Sequence, residues 1–154
     1  MNVEISEMPD VRVAGIRHVG PYNQIGPAFG RLGAIAGAAG LFQQPGAAMI
    51  GVFHDMPQST PSDQLRSDAA IIVPNGVTLP DGLTEQRLPA GRYAHTAHVG
   101  PYEQLGEAWA RLLGEWLPAS GHRIGTGATY EVYRNNPTSV PKEELITELY
   151  IPLA

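Results

Sequence analysis

The sequence of 154 residues contains no cysteine, which excludes disulfide bonds, thiolate catalysis and thiolate metal sites. No apolar run reaches the roughly 18 residues of a membrane span, and no basic segment precedes an apolar run near Met1. His54, His95 and His122 lack metal-ligand spacing, and no phosphate-binding glycine loop is present. We therefore expect a cytoplasmic protein with no metal, no cofactor and no membrane partner.

Positive charge is also scarce. Lysine and arginine number 10 against 15 aspartate and glutamate, a formal net charge of −5. A protein that binds nucleic acid needs a basic face for the phosphates, so we expect no nucleic-acid partner. The hydrophobic content of 43 % is ordinary for one globular domain, and 18 glycines with 14 prolines indicate many tight turns.

One pentapeptide occurs twice, as His18–Tyr22 and as His98–Tyr102, with the two copies 80 residues apart. The same offset relates 8–73 to 88–153 without a gap, with 21 identical positions. Similarity at a fixed period indicates that one supersecondary unit is written twice. Two copies are too few for a solenoid, so we predict a pair with pseudo-two-fold symmetry and a central ligand cleft.

The repeat predicts one domain, 1–154, made of two copies of a ββαββ unit, 1–74 and 83–154, with a linker at 75–82. Apolar periodicity gives the elements of both copies. They are strands at 2–6, 11–19, 47–54 and 68–73 around a helix at 22–39, then strands at 83–88, 91–99, 128–134 and 145–151 around a helix at 102–117. Tight connections favour an α+β fold, an antiparallel sheet with helices on one face.

Glycine and proline mark the corner between strand and helix in both copies. Glycine at Gly20 and Gly100 indicates a positive φ or a close backbone approach. Proline is tolerated in the first turn of a helix, where its missing N–H costs nothing, so we expect Pro21 and Pro101 there.

Strand alternation predicts a ligand-binding surface. In the last strand Leu149 and Ile151 belong to the apolar face, which leaves Glu148 and Tyr150 on the other. Treating Tyr130 and Val132 as helix-facing puts further polar and aromatic side chains on the surface of Glu148. The predicted ligand-binding residues are Glu148, Tyr150, Tyr133, Glu131 and Phe53, with Trp109 within reach of the cleft floor. Rings around a carboxylate suit an aromatic or cationic ligand.

Simpler interpretations of these residues remain open. Glu131 and Glu148 can be solvated side chains on an open sheet face, and Trp109 can belong to the core. His18 and His98 occupy the same corner in both copies, which favours a role in the turn over a role as ligand or base.

Four stretches carry a resemblance to a known family. They are the repeated His-x-Gly-Pro-Tyr corner, Thr60–Asp68, Tyr130–Tyr133 and Thr147–Pro152. Across nearly its whole length the chain resembles the gyrase-inhibitor-like (GyrI-like) small-molecule-binding family, which also supplies effector-binding domains to AraC-type and MerR-type multidrug-responsive regulators. The resemblance implies two repeats with a ligand cleft between them and a pocket glutamate at Glu148.

The resemblance leaves three functions open. The first is a stand-alone protein that sequesters or senses apolar, aromatic or cationic compounds, since no helix-turn-helix motif accompanies the domain. The second is a hydrolase of reactive toxins, with Glu148 as general base and Tyr133 or Tyr150 as hydrogen-bond donor. The third is a protein that interacts with DNA gyrase, as one family member does.

Overall fold

The computed structural model describes all of residues 1–154, which form eight strands and three α-helices. The strands are β1 Glu4–Met8, β2 Val11–Val19, β3 Met49–Phe53, β4 Arg66–Ile72, β5 Thr84–Leu88, β6 Gly91–Val99, β7 Thr129–Tyr133 and β8 Ile146–Pro152. The helices are α1 Gly26–Ala38, α2 Leu105–Arg111 and α3 Leu117–Ser120, with a π-helical turn, Leu112–Trp116, joining α2 to α3. The predicted α+β class, with antiparallel strands, is confirmed.

The chain divides into two compact units. Unit 1 comprises Met1–Pro9 and Ala90–Ala154, and unit 2 comprises Asp10–Pro89. Within unit 1 the strands pair antiparallel in the order β1-β6-β8-β7, and within unit 2 in the order β3-β4-β2-β5. Each unit therefore carries four strands and its own helical segment.

The units differ from the predicted repeats at their first strands. β1 pairs with β6, with Met8 opposite Gly91, and β5 pairs with β2, with Leu88 opposite Val11. The short connections explain why neither β1 and β2 nor β5 and β6 form a hairpin. They begin with Pro9 and Pro89, and a two-residue hairpin needs a first residue with positive φ, which proline cannot adopt.

Each helix packs on the sheet of its own unit. In unit 2 the small and branched side chains of α1, Ala28, Leu32 and Ala36, pack with Ala14 and Ile71. In unit 1 the core consists of buried side chains from α2 and the π-helical turn, from β6 and from β8: Leu105, Ala108, Leu112, Ala94, Leu149 and Ile151. None of the helices is long and apolar enough to cross a membrane.

The corner glycines have the predicted backbone conformation. Gly20 has φ +134° and Gly100 has φ +143°, values that favour glycine over any other residue. Their amides donate to the carbonyl oxygens of Leu65 at 2.8 Å and Leu145 at 2.9 Å. These hydrogen bonds fix the end of the second strand in each half of the chain.

Helices α1 and α2 both begin later than predicted. A 3₁₀ turn at Tyr22–Gln24 precedes α1, and another at Tyr102–Gln104 precedes α2. Pro21 has ψ 137° and Pro101 has ψ 149°, so both lie in extended backbone just before the 3₁₀ turn and not inside a helical turn. The prediction for these prolines was wrong because the corner continues the strand direction for one residue past the glycine.

Candidate functional site

The pairing of β7 with β8 decides which side chains of unit 1 share a face. Glu131 lies opposite Leu149, and Tyr130 lies opposite Tyr150. Directly opposed residues of an antiparallel pair project to the same side, so Glu131 belongs to the helix-covered face of Leu149. The predicted common surface of Glu131 and Glu148 was therefore wrong, because β7 turns a carboxylate and not its apolar residues toward the helix.

Glu131 lies under the helical segment of unit 1 and is only 7 % exposed. Trp109 of α2 donates from Nε1 to Oε1 of Glu131 at 2.6 Å, and the hydroxyl of Tyr133 donates to Oε2 at 2.7 Å. Burial raises the pKa of Glu131, and the two hydrogen bonds oppose this rise without cancelling it. No Lys, Arg or His side chain forms an ion pair with this carboxylate.

Aromatic rings flank this carboxylate. Tyr102, which belongs to the repeated pentapeptide, packs edge-on against Tyr133 with ring centroids 5.7 Å apart. Tyr102 is 37 % exposed, so the ring group reaches solvent on its side. Burial, and then the charge of Glu131, raise the pKa of Tyr133 well above its usual value. We call Trp109, Glu131, Tyr133 and Tyr102 the Glu131 cluster.

Glu148 lies on the opposite face of the same sheet in a different environment. Arg134 holds both of its carboxylate oxygens, at 2.9 and 3.2 Å, and the hydroxyl of Tyr150 donates to Oε2 at 2.6 Å. Burial alone would raise the pKa of Glu148, but the hydrogen bonds from Arg134 and Tyr150 outweigh it, so the pKa is lowered. Glu148 therefore already has a positively charged partner, Arg134.

A stack of rings extends from Glu148 across its face of the sheet. Tyr150 lies between Tyr130, at a centroid distance of 4.8 Å, and His95, at 5.2 Å, and both contacts are stacked. Burial, and then the bond to Glu148, raise the pKa of Tyr150 to about 12. His95 Nε2 lies 2.8 Å from the Ser6 hydroxyl of β1. These rings are in contact with one another and leave no gap for a ligand ring between them.

Phe53 belongs to unit 2, where its ring packs against Tyr22 with centroids 4.9 Å apart. On the other face of that sheet Asp68, the counterpart of Glu148 in the first half, is held by Arg17 at 2.8 Å and by His54 at 2.5 Å. Both halves of the chain thus place an ion-paired carboxylate in the same strand position.

Sequence reasoning missed Arg134 and Tyr102. Arg134 directly follows Tyr133, and only the β7–β8 register reveals that it reaches Glu148. The signal for Tyr102 was present, because it occurs in the repeated pentapeptide that we assigned to the corner alone. No group of three histidine, aspartate or glutamate side chains is arranged to hold a metal ion.

Comparison with known proteins gives one consistent result. Residues 1–154 match the family described as GyrI-like small molecule binding domain. The chain is 32 % identical to a DNA gyrase inhibitor of Erwinia billingiae, covering 100 % of this chain and 98 % of that protein. Its fold is similar to the EcmrR C-terminal domain, with a TM-score of 0.74 and 20 % identity over 99 % of this chain and 97 % of that chain.

A further solved structure of similar fold contains a ligand. It is SAV2435 bound to tetraphenylphosphonium, with a TM-score of 0.73 and 15 % identity. The similarity covers 100 % of this chain and 94 % of that chain. At this level of identity the likeness concerns the fold alone.

Proposed function

This chain belongs to the GyrI-like small-molecule-binding family, and we propose that it binds apolar aromatic cations at the Glu131 cluster, as a protein that sequesters or senses them. One observation carries the proposal, namely a buried carboxylate among aromatic rings that has two hydrogen-bond donors and no cationic partner. Burying a charge without a counter-charge is costly, so a ligand that supplies the missing cation gains more here than at an exposed site.

The neighbouring rings favour the same ligand class. Trp109, Tyr133 and Tyr102 offer ring surface for stacking, and a cation over such a ring gains electrostatic energy in addition to the charge pairing with Glu131. Thr147, opposite Tyr133 on the same face, has a buried hydroxyl without a hydrogen-bond partner. The neighbour that binds tetraphenylphosphonium, a large aromatic cation, supports the same chemistry.

The other residues predicted from the sequence remain proposed members of a ligand site. They are Glu148, Tyr150 and Phe53. The ion pair with Arg134 makes Glu148 the weaker candidate, because an incoming cation must first displace a guanidinium. The pseudo-two-fold relation of the repeats and the central cleft likewise remain predictions from the sequence.

Titration with tetraphenylphosphonium and with neutral triphenylphosphine oxide tests the proposal on wild type, Glu131→Gln and Glu148→Gln. Glutamine keeps the shape of each side chain and removes its charge. Tetraphenylphosphonium has no hydrogen-bond donor, so Glu131→Gln removes a charge pair. We expect this to weaken binding of the cation by roughly 2–3 kcal/mol, the Coulomb energy of unit charges about 6 Å apart at an effective dielectric constant of about 20. Binding of the neutral compound should be nearly unchanged. A loss confined to Glu148→Gln would move the site to the opposite face, and no loss in either variant would reject both.

The hydrolase alternative needs a general base with a pKa close to neutral. The lowered pKa of Glu148 disfavours it in that role, whereas burial shifts the pKa of Glu131 in the required direction.

A second candidate function, interaction with DNA gyrase, is supported by the relative named DNA gyrase inhibitor. Adding the purified protein to a gyrase supercoiling assay tests it, and unchanged supercoiling would reject it.

A further inference from the structure

The last residues of β6 have a neighbouring strand on one side only. β8 pairs with β6 as far as Val99, whereas β1 pairs with it only from Gly91 to His95. The chain before β1 does not continue the pairing, and the carbonyl oxygen of Asn2 instead accepts a 2.7 Å hydrogen bond from the hydroxyl of Thr96. The edge of β6 beyond His95 is therefore unpaired.

The backbone groups at this edge belong to Ala97 and Val99. Gly100, which follows them, donates its amide to Leu145 on the β8 side. Hydrogen-bonded and non-hydrogen-bonded pairs alternate along an antiparallel ladder, so every second residue of β6 counted back from Gly100 bonds to β8. The N–H and C=O groups of Ala97 and Val99 therefore point toward the open edge. The two residues are about 6.7 Å apart along the strand, the spacing at which the matching groups of a second strand recur.

A pocket of about 460 Å³ adjoins this edge, between β6 and α2. The end of β6 lines one side of it, and its helical side consists of Gln104, Glu107, Ala108 and Arg111. A strand added at the edge turns every second side chain toward the helix-covered face, where this pocket has room for one. None of the four residues of the Glu131 cluster lines the pocket, so it is separate from the proposed aromatic-cation site.

The charged residues of the pocket favour a basic side chain. Arg111 lies 3.6 Å from Glu115 in an ion pair on the helix surface. Glu107 forms no ion pair with a Lys, Arg or His side chain. A basic side chain that enters the pocket thus gains a charge partner in Glu107, whereas an acidic one must compete with Glu115 for Arg111.

The other face of this edge is apolar and exposed. Val99 is 62 % exposed and lies opposite Ile146 of β8, which is 37 % exposed. Directly opposed side chains of an antiparallel pair lie close together on one face, so these two form an apolar patch beside the unpaired backbone groups. Natural sheets commonly protect such an edge with charged side chains or proline.

Unit 2 has that protection at the equivalent edge. β5 pairs with β2 only as far as Gly15, which leaves the end of β2 unpaired on that side in the same way. There Arg17 takes the place of Ala97 and Arg66 the place of Ile146, with side chains that are 46 % and 53 % exposed. The repeat thus guards one edge with charge and leaves the other accessible to a strand.

We propose that the open edge of β6 binds an extended segment of a partner protein with the pattern apolar–basic–apolar. The segment continues the line of β1, antiparallel to β6. Its two apolar residues exchange backbone hydrogen bonds with Val99 and Ala97, and the first of them packs on Val99 and Ile146. The basic residue between them turns its side chain into the pocket toward Glu107. In such strand addition the backbone hydrogen bonds supply affinity and the alternate side chains supply specificity.

The experiment follows the backbone amide signals of the full-length protein by NMR while a capped peptide, Gly-Ser-Val-Lys-Val-Ser-Gly, is added. We expect the signals of Ala97 and Val99 to shift, and those of Arg17 and Val19 at the guarded edge to stay in place. The same peptide with both valines N-methylated lacks the two donors and should bind at least about tenfold more weakly. Equal binding of the N-methylated peptide, or equal shifts at Arg17 and Val19, would overturn the proposal.

A matched pair of proline variants tests the edge from the protein side. Val99→Pro removes an N–H that faces the open edge and none that bonds to β8, and proline is tolerated at such edge positions. We expect it to abolish peptide binding, whereas Val19→Pro in unit 2 should bind the peptide like wild type and have a similar melting temperature to Val99→Pro. Peptide binding that survives Val99→Pro unchanged would contradict the assignment.

Two further variants identify the occupant and separate the two sites. Glu107→Gln should weaken the lysine peptide and leave an analogue with glutamine in place of lysine unaffected. Glu131→Gln should leave peptide binding intact, so failure of this site is distinguishable from failure of the aromatic-cation site. Sedimentation of the wild type as a dimer that Val99→Pro dissociates would assign the edge to a second copy of this chain and overturn the partner segment.

Discussion

Trp109 donates a 2.6 Å hydrogen bond from its indole nitrogen to Glu131, and this bond joins the helical segment of unit 1 to β7 through a carboxylate that is 7 % exposed. In most cores such a position holds an apolar side chain. The buried carboxylate therefore lowers the stability of the fold, and it places a negative charge where water has little access.

The pH dependence of stability should reveal this cost. Burial raises the folded-state pKa of Glu131, so the folded state binds more protons than the unfolded state between the unfolded and folded pKa values, and stability falls as pH rises through that window. We expect the stability of Glu131→Gln relative to wild type to be greater at pH 7 than at pH 4, with a slope of at most about 1.4 kcal/mol per pH unit. Urea unfolding of both proteins from pH 4 to 8 measures it, and a difference that does not vary with pH would contradict the raised pKa.

Binding of a cation at Glu131 should release a proton. A bound cation favours the ionised carboxylate, and Tyr133 and Tyr102 stay neutral in this range because their pKa values are raised. We expect affinity for tetraphenylphosphonium to rise with pH until Glu131 is ionised in the free protein, and affinity for triphenylphosphine oxide to stay constant. Calorimetry in buffers of different ionisation enthalpy counts the released protons, and a cation that binds without proton release at every pH would contradict the linkage.

The two tryptophans should respond differently to replacement by phenylalanine. Trp109→Phe removes one of the two donors to Glu131 and should cost about 1–3 kcal/mol at neutral pH, the cost of an unsatisfied charged acceptor. It should also extend the pH dependence to higher pH, because loss of that hydrogen bond raises the folded-state pKa of Glu131 further. Trp116 stacks on His122 at 6.2 Å and serves as the control, since Trp116→Phe should leave the pH dependence unchanged. Equal pH profiles for the two variants would show that the Trp109 bond carries no charge stabilisation.

Replacing a corner glycine by alanine should have the opposite effect on stability from replacing a glycine within a helix. Alanine at Gly20 or Gly100 must adopt φ +134° or +143°, which should cost about 1–3 kcal/mol. Gly30 lies exposed within α1 and a side-chain carbon there would meet no atom within 4 Å, so Gly30→Ala should stabilise the protein by up to about 1 kcal/mol. Chemical denaturation of the three variants tests the contrast, and a neutral Gly20→Ala would show that the corner relaxes.

Local patterns were sufficient for most of the elements. The strands Val11–Val19 and Gly91–Val99 were predicted to the residue. The first is rich in β-branched residues and ends in Gly-Pro, and the 80-residue repeat gives the second the same bounds. The partners of β1 and β5 could not be predicted in this way, since strand pairing over some 80 residues depends on non-local contacts that no local pattern encodes.

The face of β7 shows a second limit of sequence patterns. Glu131 alternates with Tyr130 and Val132, and alternation alone assigns the apolar residues to the helix-covered side. The structure reverses this because Trp109 and Tyr133 donate hydrogen bonds to a buried carboxylate, a compensation that is visible only when α2 and β7 are brought together. The sequence thus predicted each of Glu131, Tyr133 and Trp109 as a site residue, but it could not predict the hydrogen bonds that join them.

The pairing of β1 with β6 also sets the order in which the protein can fold during synthesis. β1 leaves the ribosome before β2 to β8, yet its partner positions, Gly91 to His95, follow more than 80 residues later. All of unit 2 is made in the interval, so it can fold while β1 is still an unpaired segment. Unit 1 closes only when β6, β7 and β8 have been made, and β1 must stay free of other partners until then.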